Sequence, residues 1–167
     1  NHLEAEGLLT RSPHVGTRVA EIVVEDASEL YAIQALLQSS AVQICAKKLS
    51  ETNIREAEKL NSEIEDLVHA VHANVNDMKI LNYRFHMLVC GSTVHPWLTR
   101  LISALWIRLP PRTIWRLRKE ARSAVKYHKQ ILNAIRQGDG VLAGTLMREH
   151  LQRSHKVLYG SRGAEER

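Results

Sequence analysis

From Glu25 onward, apolar residues return every three or four positions, and Gly, Pro or short polar clusters cut that pattern into six segments. Such a period puts the apolar side chains of each segment on one stripe of a helix, and stripes of this kind are stable only when they face one another. The pattern therefore predicts an all-α fold, an antiparallel bundle of about six helices joined by short loops. The first helix follows the acidic pair Glu25-Asp26 through Leu30, Ile33, Leu37, Val42 and Cys45 and ends near Leu49. Ser50 and Thr52 both offer capping oxygens for a second helix through Ile54, Leu60, Ile64, Leu67 and Val71, which frays around Asn74-Val75-Asn76. A third runs from about Asp77 to Cys90 and is stopped by Gly91-Ser92-Thr93. Pro96 suits the first turn of a fourth, Trp97 to about Arg108, which Pro110-Pro111 terminates. The fifth covers Arg112 to Gln137 up to the break at Gly138-Asp139-Gly140, and the sixth covers Val141 to Leu158, before a polar tail at 160–167. The one β signal precedes all of these: residues 8–12 alternate against residues 16–22 across Pro13-His14-Val15-Gly16, as in a short hairpin.

A chain of 167 residues suffices for one globular domain, or one with a fragment of a second. The longest uncharged apolar runs, around Ile102 to Ile107, fall far short of the ~20 residues a membrane span needs, and no signal peptide opens the sequence. Cys45 and Cys90 lie far apart in apolar surroundings and outside any CxxC pair, which reads as two buried free thiols in a reducing cytoplasm. The sequence starts at Asn1 in what looks like the end of a helix, Leu3 to Leu9, and so reads as a piece whose N-terminal part is missing. Charge is uneven: residues 1–100 carry 9 Lys and Arg against 13 Asp and Glu, and residues 101–167 carry 14 against 5. Helical spacing scatters Arg112, Arg116, Arg118, Lys119, Arg122, Lys126 and Lys129 around the axis, so they read as a solvated surface rather than a nucleic-acid stripe.

Among nine histidines, three lie in the middle of apolar stripes. His86 falls with Leu81, Asn82, Phe85 and Val89, His128 with Ala124, Val125, Ile131 and Ile135, and His150 with Ala143, Leu146, Met147 and Val157. An imidazole aimed at a core needs a hydrogen-bond partner or a metal, because an unpaired buried polar group costs about 1–3 kcal/mol. Asn82 stands four residues before His86 and shares its helix face. Three inward imidazoles and an amide oxygen suit Zn²⁺, Ni²⁺, Cu²⁺ or Fe²⁺ better than Ca²⁺ or Mg²⁺. The remaining histidines are weaker. His69 and His72 share a face near Asp66, but Glu63 and Glu65 mark it as solvated; His95 reads as a loop residue, and His2, His14 and His155 as surface. The chain has no Glu-x-x-His for a di-iron bundle, no Gly-x-Ser-x-Gly, no phosphate-binding glycine loop and no His-Glu-x-x-His. Glu149 points roughly 100° away from His150, so no inward general base is visible.

Asn82-Tyr83-Arg84-Phe85-His86, Tyr127-His128 with Ala134-Ile135 and Gly138-Asp139 downstream, and Met147-Arg148-Glu149-His150-Leu151 occur here in that order. The set resembles the C-terminal effector domain (FCD) of FadR-type GntR transcriptional regulators, over residues 23–159. Residues 1–22 resemble the end of that family's winged helix-turn-helix, with the hairpin as its wing. The resemblance implies a dimeric bacterial regulator that binds a palindromic operator through N-terminal domains and senses a small organic acid on a divalent metal. Carried over, the metal ligands are Asn82, His86, His128 and His150, with Zn or Ni as the expected ion. Effector contacts are expected from Gln34, Gln38 and Arg84, and DNA contacts from Arg11, His14 and Arg18.

Three departures qualify that pattern. Asn82 stands where the family has Asp, which removes a negative charge and weakens the site for hard cations. Tyr127 stands where the family has Glu. In Leu30-Tyr31-Ala32-Ile33-Gln34 and Gln38, two glutamines replace the family's Arg and Glu, as if an ion pair had become an amide pair. That pair can contact a neutral ligand or simply link helices. Two other readings stand beside the metal-dependent regulator: the same regulator without metal, its His, Asn and Gln side chains holding the effector directly, and a hydrolase with three histidines on one metal. Lack of an inward carboxylate base argues against the enzyme.

Overall fold

A computed structural model describes residues 9–12, 16–19, 24–91, 94–108 and 118–159. Strands β1 (Leu9–Ser12) and β2 (Gly16–Val19) pair antiparallel as the expected hairpin, Leu9 opposite Val19 and Ser12 opposite Gly16. Six helices follow among the described residues: α1 (Val24–Cys45), α2 (Glu51–His69), α3 (Val75–Val89), α4 (Pro96–Arg108), α5 (Arg118–Arg136) and α6 (Gly140–Tyr159). The all-α bundle read from the apolar period is the observed architecture.

Side-chain caps account for the starts of three helices. Of the two possible caps on α2, Ser50 serves: its hydroxyl accepts from the Asn53 amide at 3.2 Å, while Thr52 lies inside the helix. Asn74, expected in the frayed end of the second helix, instead caps α3 by accepting from the Asn76 amide at 2.9 Å. An Asx side chain that can bond its own backbone two residues on favours that cap over continued helix. Helix α1 stops at Cys45, four residues before the expected end, and residues 46–48 form a turn. Asp139 caps α6 through the Leu142 amide at 2.9 Å. The stretch 112–117, expected to open the fifth helix, lies outside the described residues.

Helix α1 packs most extensively on α6, and α6 also lies on α5; α2 contacts α3 and α5, and α4 contacts α1. Two glycines explain the closeness of the α1–α6 crossing. A Cβ at Gly140 would come within 2.5 Å of the Gln43 carbonyl oxygen, and one at Gly144 within 2.8 Å of that of Ser39. The main core gathers Leu60, Phe85, Ile102, Ile131 and Met147, and a second cluster of Ile64, Val68, Met78, Ala121, Ala124 and Val125 joins α2, α3 and α5. Gln34, Gln38, Asn61, His86, His128 and His150 are buried with them.

The surface carries the charge. Arg136 bridges Glu58 at 2.6 Å and Glu51 at 3.2 Å, and Lys129 meets Glu65 at 2.6 Å. Lys119, Arg122 and Lys126 of the basic run are exposed as well, in keeping with a solvated face. Cys45 and Cys90 are buried free thiols. Among the described residues no helix is long and apolar enough to cross a membrane.

Candidate metal centre

The three inward histidines converge. His86 on α3, His128 on α5 and His150 on α6 each offer a ring nitrogen, and these atoms all lie within 4.8 Å of one another. Ring centroids are 5.2 Å apart for His86 and His128, 5.2 Å for His86 and His150, and 4.9 Å for His128 and His150. Phe85 stacks on His128 at 4.0 Å, and Trp106 of α4 stands 5.0 Å from His86, so the rings sit between aromatic walls.

Two of the rings are fixed from behind by amides. Gln34 Nε2 donates to the Ile102 carbonyl at 3.0 Å. A carbonyl can only accept, so the orientation of Gln34 is set, and its Oε1 accepts from Gln38 Nε2 at 2.6 Å. Gln38 is thereby oriented too, and turns its Oε1 toward His86 Nδ1 at 2.7 Å. That nitrogen must carry the proton, and Nε2 of the neutral ring then holds its lone pair toward the centre. Cys90, whose thiol burial pushes up and so keeps protonated, lies 3.9 Å from the same Gln38 oxygen.

His128 is fixed in the same way by a different helix. Asn61 Nδ2 donates to the Val125 carbonyl at 3.3 Å, and Asn61 Oδ1 faces His128 Nδ1 at 2.9 Å. Both Nε2 atoms, together with Asn82 Oδ1, are buried polar atoms without a hydrogen-bond partner. Two unpartnered ring nitrogens, on imidazoles whose other nitrogen is hydrogen-bonded, with the His150 ring beside them, suit a divalent transition ion. Burial holds His86 and His128 well below the ordinary imidazole range, with neighbouring histidines adding to the effect, and holds His150 at about 4. All three are thus neutral, the form that ligates, near pH 7.

His150 differs. It lines a small depression between α5 and α6 with Ser123, Tyr127, Arg153 and Ser154, and Tyr127 lies 5.7 Å from it, ring to ring. Glu149 is exposed on the far side of α6, as its adjacency to His150 implied.

Other expected residues fall elsewhere. Gln34 and Gln38, expected as effector contacts, are fully buried and bonded to Ile102 and His86, where they link α1 to α4 and support His86. Arg84, the third expected effector contact, lies apart from them. Two residues on from Asn82 it points off the inward face, pairs with Glu56 at 3.3 Å and lines a separate open groove of about 470 Å³ between α2, α3 and α4. His155, expected on the surface, is half-buried and bonds Ser28 of α1 at 2.9 Å. His69 and His72 are exposed, and His95 is half-buried beside Lys48. Arg11 lies in β1 opposite Thr17, Arg18 in β2 is exposed, and His14 lies outside the described residues. Sequence reasoning missed Asn61, although it interrupts the stripe Ile54, Ala57, Leu60, Ile64, Val68 much as the histidines interrupt theirs.

Fold and cluster together define a class: an all-α bundle enclosing three neutral, buried histidines. Residues 29–153 match the FCD domain, and the chain belongs to that family. YdhC of Bacillus subtilis (strain 168), an uncharacterized HTH-type transcriptional regulator, is 29% identical over 89 residues, 52% of this chain and 38% of that protein. The match thus spans well under half of that relative's length. Among solved structures, E. coli McbR/YncC superposes with a TM-score of 0.85 at 19% identity, covering 96% of this chain and 81% of the other. A GntR family member from Pseudomonas syringae pv. tomato str. DC3000 gives 0.66 at 24% identity, covering 99% and 68%. At these identities the likeness concerns the fold, which is that of GntR-type regulators, in line with the resemblance read from the motifs.

Proposed function

We propose that the chain is the effector-sensing domain of a bacterial DNA-binding regulator. In this reading His86, His128 and His150, with Asn82 as a weaker fourth ligand, hold a divalent transition metal, Zn²⁺ or Ni²⁺, and a small organic acid completes the site. The metal supplies an attachment point for the acid's oxygens. Occupancy favours one arrangement of the helices over another by its differential affinity for the two, and so alters operator binding by the homodimer. DNA contact belongs to the N-terminal region, with Arg11, His14 and Arg18 of the wing as candidates. The observation that carries the reading is the meeting of ring nitrogens of His86, His128 and His150 within 4.8 Å, with His86 Nε2, His128 Nε2 and Asn82 Oδ1 buried and without hydrogen-bond partners among the described residues.

The test is elemental analysis of untagged protein prepared without chelator, beside a His128→Ala variant. Near-stoichiometric metal in the parent, lost in the variant, is the expected result. A second reading draws on the amide at position 82, which favours direct hydrogen bonding of an organic ligand. Absence of metal from the parent even after incubation with Zn²⁺ or Ni²⁺ selects that reading and removes the first. The hydrolase reading has less support: Glu149 is exposed, and among the described residues no carboxylate joins the histidine cluster.

A further inference from the structure

The centre has no negative charge of its own. Its donors are three imidazoles and one amide, and no carboxylate joins them among the described residues. Three acids of the surrounding helices are engaged by cations: Glu56 with Arg84 at 3.3 Å, Glu65 with Lys129 at 2.6 Å, and Glu120, which lines the depression beside His150, with Arg153 at 2.7 Å. A dication placed among these donors carries its full charge into a site walled by Phe85 and Trp106, where water cannot compensate it. Uncompensated charge in such surroundings is strongly disfavoured. The missing charge has to come from the ligand, and the small depression that His150 lines, with Arg153 and Glu120 also in its wall, is a recess beside the cluster.

We infer that Asn82 makes metal and anion binding interdependent, so that the centre binds its ion weakly alone and tightly only together with a chelating dianion. The inference rests on the metal reading above and assigns Asn82 as the residue that sets the coupling. By linkage, the anion raises metal affinity by the same factor as the metal raises anion affinity. The device is a coincidence detector: neither species alone fills the site at concentrations where the pair does.

Ni²⁺ is titrated into metal-free protein at fixed free-ion concentrations set by a metal buffer, alone, with malonate, or with malonamide, its neutral diamide. Bound metal is read by equilibrium dialysis with elemental analysis, and independently by quenching of tryptophan fluorescence, since Trp106 stands 5.0 Å from His86. The expected result is at least tenfold tighter Ni²⁺ binding with malonate and less than twofold change with malonamide. Asn82→Asp should bind Ni²⁺ at least tenfold tighter than the parent without malonate and lose most of the malonate effect. The contrast between malonate and malonamide needs no variant, so it decides the matter even if a buried carboxylate prevents Asn82→Asp from folding. Equal parent affinity under all three conditions, with binding still abolished by His128→Ala, overturns the coupling and leaves the metal site standing. No Ni²⁺ retained under any condition, with parent and His128→Ala alike, overturns the metal reading and the coupling with it.

Discussion

His86 and His128 are held from behind by amides that end on backbone carbonyls, whereas His150 has a tilted tyrosine ring beside it and a depression in front. The first two rings have one tautomer and one orientation imposed by neighbours that cannot be inverted. The third is buried without such support. Under the proposed function, two preset donors and one adaptable one would divide the work: the fixed pair would define where a ligand binds, and the free ring could follow it. Helix α6, which carries the adaptable ring, is also the partner against which α1 packs most closely.

The largest expected effect is on acid stability. Burial depresses all three imidazoles, so between about pH 4 and the ordinary imidazole value of 6.5 the unfolded chain holds more protons than the folded one. Stability is therefore complete above pH 6.5 and is lost as pH falls below it. His150 alone, moving from 6.5 to about 4, accounts for about 3 kcal/mol of that loss. Urea unfolding of metal-free protein at pH 7.5, 6 and 5 measures it, and His150→Gln should flatten part of the dependence. A free energy of unfolding that stays constant from pH 7.5 to 5 would show that the rings are hydrated, and the contrast between fixed and adaptable donors would lose its basis.

Next in size is Asn61→Leu, which removes the group that orients His128 while leaving His86 and its glutamines untouched. Loss of an outer partner of a metal-binding histidine typically costs 10–100-fold in metal affinity. The same loss is expected here for Ni²⁺. Imidazole ¹⁵N spectra should show His128 released from its single Nδ1–H form, with His86 unchanged. A variant that keeps parental affinity and a locked His128 ring would mean that Asn61 fills space rather than setting the tautomer.

These supports mark the border of what the sequence discloses. The helices are legible because the apolar period, Pro96 and the Gly138-Asp139-Gly140 break are local signals, and the inward histidines are legible because each violates its own stripe. Asn61 violates its stripe in the same manner and could have been found by the same rule. The path from Gln34 to Ile102 could not, because it depends on how α4 lies against α1, across 68 residues of sequence. The direction of Arg84 follows from helix geometry instead: it is close to Asn82 and His86 in the chain, but two residues turn a side chain well away on a helix.

The smallest expected effect tests the comparison from its other side. Tyr127 stands directly before His128 but points to His150, and its hydroxyl makes no hydrogen bond to a described residue, so the ring alone touches the centre. Tyr127→Phe keeps that ring. Stability should change by no more than about 0.5 kcal/mol, as for substitutions that remove no buried partner, and Ni²⁺ affinity by less than threefold. Calorimetric titration beside the parent supplies both the affinity and the enthalpy. A tenfold fall would mean that the hydroxyl reaches His150 or its ligand once the site is filled. His150 would then be a supported donor like the other two, with Tyr127 in the part that Asn61 plays for His128, and the site would have no adaptable member through which a ligand could move α6.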